Sequence, residues 1–204
     1  KRWVRQDLLK RRHTMNAKFF DLKKEKQDRM INAALKSFAQ QGYLHAGTDV
    51  IVRDAGISKG LLFHYFESKI GLYTFVYEYS VRYMLLELAS VSKLERSLFE
   101  LMRQVETAHT RVMREYPYMK QFLNRSMYED VGEALIAAEK FKNELENAYE
   151  NIYRRADYKS FSSVADGKKL RRIMEYTIKG MMSERIFIIL FASHFLTQNF
   201  MLYI

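Results

Sequence analysis

Apolar residues recur along this chain at helical spacing, and glycines gather in one short region. Ile31, Ala34, Leu35 and Phe38 fall three and four apart, which predicts a helix over residues 23–40 with Asp21 as its N-cap and Gly42 as its stop. Five of the eight glycines (Gly42, Gly47, Gly56, Gly60 and Gly71) lie between positions 42 and 71, so the chain turns repeatedly there and runs as long helices elsewhere. Within that region, residues 48–55 place Ile51 and Ala55 on one face, and Gly56 breaks the helix. Ser58 is a candidate cap for a short helix over 59–65, whose Leu62 and Phe66 sit four apart and point into the same small core. Ser68 is positioned to cap the helix that follows.

Beyond residue 71 the pattern predicts amphipathic helices over 71–90, 94–115, 118–128 and 133–155, with Pro117 ending the second and opening the third. The fourth would bury Leu135, Ala138, Phe141, Leu145, Ala148 and Ile152. Residues 158–167 read as a polar loop, and a further helix from about Lys168 carries Leu170, Ile173, Met174, Thr177 and Ile178. The stretch 186–204 has no charged side chain and reaches the minimum length of a membrane span. His194, Thr197, Gln198 and Asn199 lie within it and would be costly in lipid, so burial in protein is the expectation.

Composition agrees with a helical globular protein. The 204 residues are 48% hydrophobic, include 14 Phe and 14 Tyr, and hold a single Pro. The absence of Cys excludes disulfide frameworks, thiolate nucleophiles and Cys-ligated metals, and fits a cytoplasmic setting. The net charge of +10 is asymmetric: residues 1–14 hold six basic and one acidic side chain, and residues 15–72 hold nine and six. Such a distribution suggests a polyanion partner for the front of the chain.

The order of three short helices, with a tight Gly-containing turn between the second and third and a long helix after them, is that of a helix-turn-helix unit. The residues from Ile31 to Tyr43, and from Ile51 through Ala55-Gly56-Ile57-Ser58-Lys59-Gly60 to Tyr65-Phe66 and Lys69, resemble the N-terminal DNA-binding domain of the TetR family of transcriptional regulators. The resemblance implies an all-α fold with a helix-turn-helix domain at 15–70 and a helical ligand-binding and dimerisation domain at 71–204; residues 1–14, which precede Met15, read as a basic extension or an added remnant. Carried onto this sequence, it assigns Thr48, Ser58, Lys59, Gly60, Leu61, Phe63, His64, Tyr65 and Lys69 to double-stranded operator DNA. Gly60 would allow close backbone approach, Leu61 and Phe63 would meet thymine methyls, and His64 and Tyr65 would reach phosphates. Thr48 and Lys69 would add helix N-termini to that backbone grip. The sequence departs from the family at Ala46 and Gly47, where Thr or Ser is frequent, and at Phe63, often Tyr, so one or two hydroxyl contacts are missing.

The resemblance further implies a homodimer joined through its last helices, and an effector pocket among the central helices whose occupation weakens DNA binding. Eleven Met and the many aromatics favour a small apolar or aromatic ligand, with Met119, Phe122, Met127, Tyr128 and Tyr176 as candidate lining. No cofactor is expected. The five histidines lack metal-ligand spacing, no Gly-x-Ser-x-Gly elbow occurs, and Gly42 to Gly47 is followed by Thr48 instead of the Lys of a phosphate loop, so catalysis has little support. The reading from another class is a helical adaptor on anionic membranes that uses the basic front and the apolar tail, although no stable membrane association is expected.

Overall fold

The computed structural model describes residues 17–159 and 161–183, and among them every regular element is helical. The chain divides at Ala156–Asp157 into two compact units. The first opens with a 3-10 turn, Ala17–Asp21, followed by α1 (Lys24–His45), α2 (Thr48–Ala55), α3 (Lys59–Phe66), α4 (Lys69–Leu88), α5 (Leu98–Glu115), α6 (Met119–Ser126) and α7 (Gly132–Tyr153). The second contains α8 (Val164–Ser183). The expectations for residues 1–14 and 186–204 lie outside the described residues.

The predicted stripe of α1 is its buried face: Ile31, Ala34, Leu35 and Phe38 are each at most 1% exposed. Two boundaries of α1 differ from expectation. Asp21 belongs to the preceding 3-10 turn, and Lys23 occupies the N-cap position without a side-chain bond. Gly42 does not end the helix; it interrupts it at φ 74°, ψ 174°, and one more turn follows to His45.

Helix α4 is the spine of the first unit. Leu72, Tyr73, Phe75, Val76, Tyr77 and Tyr79 are all buried, so the helix is covered on several faces, as its near-continuous apolar sequence requires. It packs on α3 and α1 near its start and on α5, α6 and α7 along its length. Phe19 of the 3-10 turn is fully buried against Phe66 and Phe75, with ring centroids 5.3 and 4.9 Å away, which ties the segment before α1 to the α3–α4 junction.

Local hydrogen bonding explains the other boundary corrections. Helix α5 starts four residues later than the apolar pattern suggests, because Ser97 accepts from the Glu100 N–H and caps it; Leu94, on the connection before it, is 87% exposed. Pro117 lies between helices, and α6 opens only at Met119. In α7 the inward position is taken by Ala134, while Leu135 faces solvent. In the second unit, Ser163 accepts from the Asp166 N–H at 3.1 Å and donates to the Asp166 carboxylate, a reciprocal cap that starts α8 at Val164 inside the stretch read as loop. Ile173 and Thr177, which this helix carries, are exposed. No helix among the described residues is long and apolar enough to cross a membrane.

Candidate DNA-binding interface

Helices α2 and α3 are too short to be stable alone, and their ends are held by specific bonds. At the end of α2, Gly56 takes φ 64°, and the Gly56 and Ile57 N–H groups donate to Arg53 O (3.2 Å) and Val52 O (3.0 Å), a Schellman closure that turns the chain sharply into α3. Ser58 then caps α3, its hydroxyl accepting from the Leu61 N–H at 3.2 Å. Ser68 does the same for α4, accepting from the Gly71 N–H at 3.0 Å.

Burial fixes the faces of α3. Leu62 and Phe66 are 1% and 3% exposed and pack inward, as the sequence predicts, beside the fully buried Ile51 and Ala55 of α2. On the outer side Ser58, Lys59, Gly60 and His64 are exposed, and Leu61, Phe63 and Tyr65 are half-exposed. That outer surface is apolar at Leu61 and Phe63, cationic at Lys59, and open at Gly60, where no atom lies within 4 Å of a would-be β-carbon. The His64 and Tyr65 rings pack edge to face at 5.1 Å, and Tyr65 also meets Phe19 at 5.9 Å, so Tyr65 is oriented from behind.

Two features of this surface are absent from the sequence reading. Lys59 Nζ donates to Asp49 Oδ1 at 2.9 Å, joining the first turn of α3 to the first turn of α2 and placing a carboxylate beside Thr48. Spacing gives no hint of this contact, because it depends on the angle between two helices. Lys69 is drawn inward as well: its ammonium donates to the Leu44 carbonyl at 3.0 Å and sits 4.8 Å from the Tyr43 ring centroid. Burial lowers its pKa, opposed by the nearby carboxylates of Glu133 and Glu129. Lys69 thus closes the carbonyl end of α1 against the start of α4.

Of the five candidate ligand residues, two are core and three are exposed. Met119 and Phe122 are buried in the core, with Phe122 against the rings of Phe38, Tyr73 and Tyr77. Met127 and Tyr128 follow α6 and are 41% and 81% exposed, while Tyr176 is exposed on α8 of the second unit. A polar cluster is instead buried among α5, α6 and α7. Lys120 Nζ lies 3.0 Å from Glu106 Oε2 and 2.8 Å from His109 Nδ1, and His109 Nε2 lies 2.7 Å from the Tyr149 hydroxyl. Among the described residues no grouping of His, Asp and Glu is arranged to hold a metal.

Residues 30–74 match the family model described as bacterial regulatory proteins, tetR family. No curated protein matches the chain. Among solved structures, the chain is similar to the TetR family regulator PfmR from Thermus thermophilus, at 20% identity and TM-score 0.56, covering 77% of this chain and 86% of that one. It is also similar to the fatty acid degradation regulator FadR from Bacillus halodurans, at 16% identity and TM-score 0.55, covering 83% and 91% respectively. Residues 30–74 are thus a DNA-binding domain of the tetR type, and the solved structures show that the chain shares the all-α fold of such regulators.

Proposed function

We propose that the protein is a homodimeric cytoplasmic repressor, released from its operator by a small apolar or aromatic ligand. Residues 15–70 serve as the DNA-binding part and 71–204 as the ligand-binding and dimerisation part. The observation that carries the reading is the course of α4. Its first turn packs on α3 and α1, and the same helix runs on through the bundle of α5, α6 and α7 without a linker. A ligand that shifts the bundle therefore moves α3. Two recognition helices in a dimer must reach major grooves about 34–36 Å apart, so a small displacement at the start of α4 costs one of the two contacts. The ligand exerts that effect only through its preference for one state.

In this reading Leu61 and Phe63 contact base edges across the face left open by Gly60. Thr48, Ser58, Lys59, His64 and Tyr65 hold the phosphate backbone and set the register, while Lys69, its ammonium turned to the Leu44 carbonyl and the Tyr43 ring, serves through the N-terminus of α4. Met119 and Phe122 would line the effector site and have to move apart to admit a ligand, since both are buried against neighbours.

The test is binding of the purified chain to the DNA upstream of its own gene at several salt concentrations, with its mass in solution measured alongside. Competitor-resistant binding of a dimer to a palindromic site, reversed by an apolar or aromatic compound, is the expected result. A monomer that binds DNA weakly and without regard to sequence, or binding that no compound of this class weakens, overturns the reading.

A further inference from the structure

The break in α1 at Gly42 is a docking point. With Gly42 at ψ 174° the next peptide turns out of helical register, and the Tyr43 N–H donates to Glu129 Oε2 at 2.8 Å. The Tyr43 hydroxyl bonds Glu133. Glu129 lies in the connection between α6 and α7, and Glu133 is in the first turn of α7. The Arg125 guanidinium of α6 lies over Gly42, 2.9 Å from where a β-carbon would sit, and the backbone there, at φ 74°, is one that favours glycine. From the other side, the Lys69 ammonium covers the Tyr43 ring and takes the Leu44 carbonyl. The turn 42–44 is thus gripped by the α6–α7 junction on one side and by the first residue of α4 on the other.

Helix α1 also packs on α6 through Phe38 and Phe122 and is bonded to Tyr116 and Glu115 nearer its start. The grip at Tyr43 adds a fixed point at the C-terminal end of α1, where the chain enters α2. We infer that Glu129 is a positioning residue for DNA binding, holding α1, and with it α2 and α3, at the angle the major groove requires. The bond that does this is directional. It needs an acceptor oxygen at position 129 aimed at the Tyr43 N–H, which the Glu129 carboxylate supplies at 2.8 Å.

The experiment separates the acceptor from the charge. In the full-length chain, Glu129→Gln and Glu129→Ala both remove the negative charge, so any general electrostatic effect on DNA is equal in the two. Only Gln keeps an oxygen for the Tyr43 N–H. Affinity is measured on a duplex enriched from a random library by the wild-type protein, across a salt series, together with amide exchange at Tyr43. Glu129→Gln is expected to bind at least as tightly as wild type, and Glu129→Ala roughly tenfold more weakly than Glu129→Gln. The two variants should share one salt slope, because no phosphate contact is lost. Tyr43 amide exchange should accelerate only in Glu129→Ala. Equal DNA affinity in the two variants overturns the proposal, including the case where Glu129→Ala merely melts earlier. Should Glu129→Ala not fold, Glu129→Asp, which keeps the charge but draws the carboxylate one methylene back from the Tyr43 N–H, takes its place. A roughly threefold loss of affinity at unchanged salt slope is then expected, and wild-type affinity overturns the proposal.

Discussion

Gly71 stands against the carbonyl of Phe66: a β-carbon on Gly71 would lie 2.0 Å from the Phe66 oxygen. The residue belongs to the first turn of α4, and its N–H is held by the Ser68 cap, so neither side of the contact is free to move. The chain therefore reverses from the recognition helix into the spine over a gap that only glycine fits.

Gly71→Ala tests that relationship. Ala is favoured over Gly in a helix interior by about 1 kcal/mol, yet here the clash with a backbone oxygen outweighs it. The expected net loss is about 1–3 kcal/mol of stability. Because the strain is relieved by tilting α3 against α4, DNA affinity should fall even at temperatures where the variant remains folded. A rise in melting temperature with unchanged DNA binding would show that the turn adapts.

Earlier in the same turn, Glu67 takes φ 62°, ψ −45°, the one non-glycine positive φ among the described residues. Its N–H donates to Phe63 O at 2.8 Å, which fixes the strained conformation. Replacing it with glycine removes a backbone cost of about 1–3 kcal/mol at an entropic cost of up to about 1 kcal/mol. Glu67→Gly is expected to raise stability by about 1 kcal/mol in urea unfolding at constant m value, and a lower midpoint would contradict the strain.

Much of this turn is legible in the sequence alone. Ser58, Gly56 and Ser68 are short-range signals, because a cap or a left-handed closure is decided by residues within about four positions of it. Leu62 and Phe66 are equally readable from their spacing. What stays hidden depends on the angle between helices. The Asp49–Lys59 and Tyr43–Glu129 contacts, and the inward pull on Lys69, join residues 10, 86 and 25 positions apart, and no periodicity encodes them. The start of α5 is missed for a different reason: apolar spacing runs on into Leu94, and only the Ser97 hydroxyl decides where helical bonding begins. The candidate ligand residues follow from the choice of helix and not of face, so Phe122 is core and Tyr128 surface.

Glu106 supports a prediction about acid stability. Burial pushes its carboxyl pKa up, but His109 and Lys120 outweigh that and hold it at about 2. Its folded pKa is thus below its unfolded value, so its contribution is complete above about pH 4.5 and is lost as pH falls toward about 2. Lys120 is buried, and removing its partner leaves a charge in the bundle. Glu106→Gln is expected to cost about 2–4 kcal/mol at pH 7. The gap in stability between the variant and wild type should shrink between about pH 4.5 and about pH 3; a gap independent of pH would assign the loss to packing.

Asp49 and Lys59 supply the sharpest test of the DNA surface. Both side chains are exposed, so the ion pair adds little to folding, about 0–1 kcal/mol. Its importance lies in what DNA meets: a lysine on the first turn of the recognition helix already occupied by a carboxylate that phosphate repels. Binding must release Lys59 from Asp49, and this cost opposes the new contact. Asp49→Asn should therefore tighten binding to every duplex, by several-fold at low salt, with little change in melting temperature. Lys59→Ala should weaken binding to all sequences alike and reduce the magnitude of the salt slope by about 1. The double variant separates the two effects. If Lys59 acts on phosphate, Asp49→Asn in the Lys59→Ala background loses most of its benefit, because no cation remains to be released. Full additivity would mean that Asp49 repels DNA directly and that Lys59 stays bound to it in the complex.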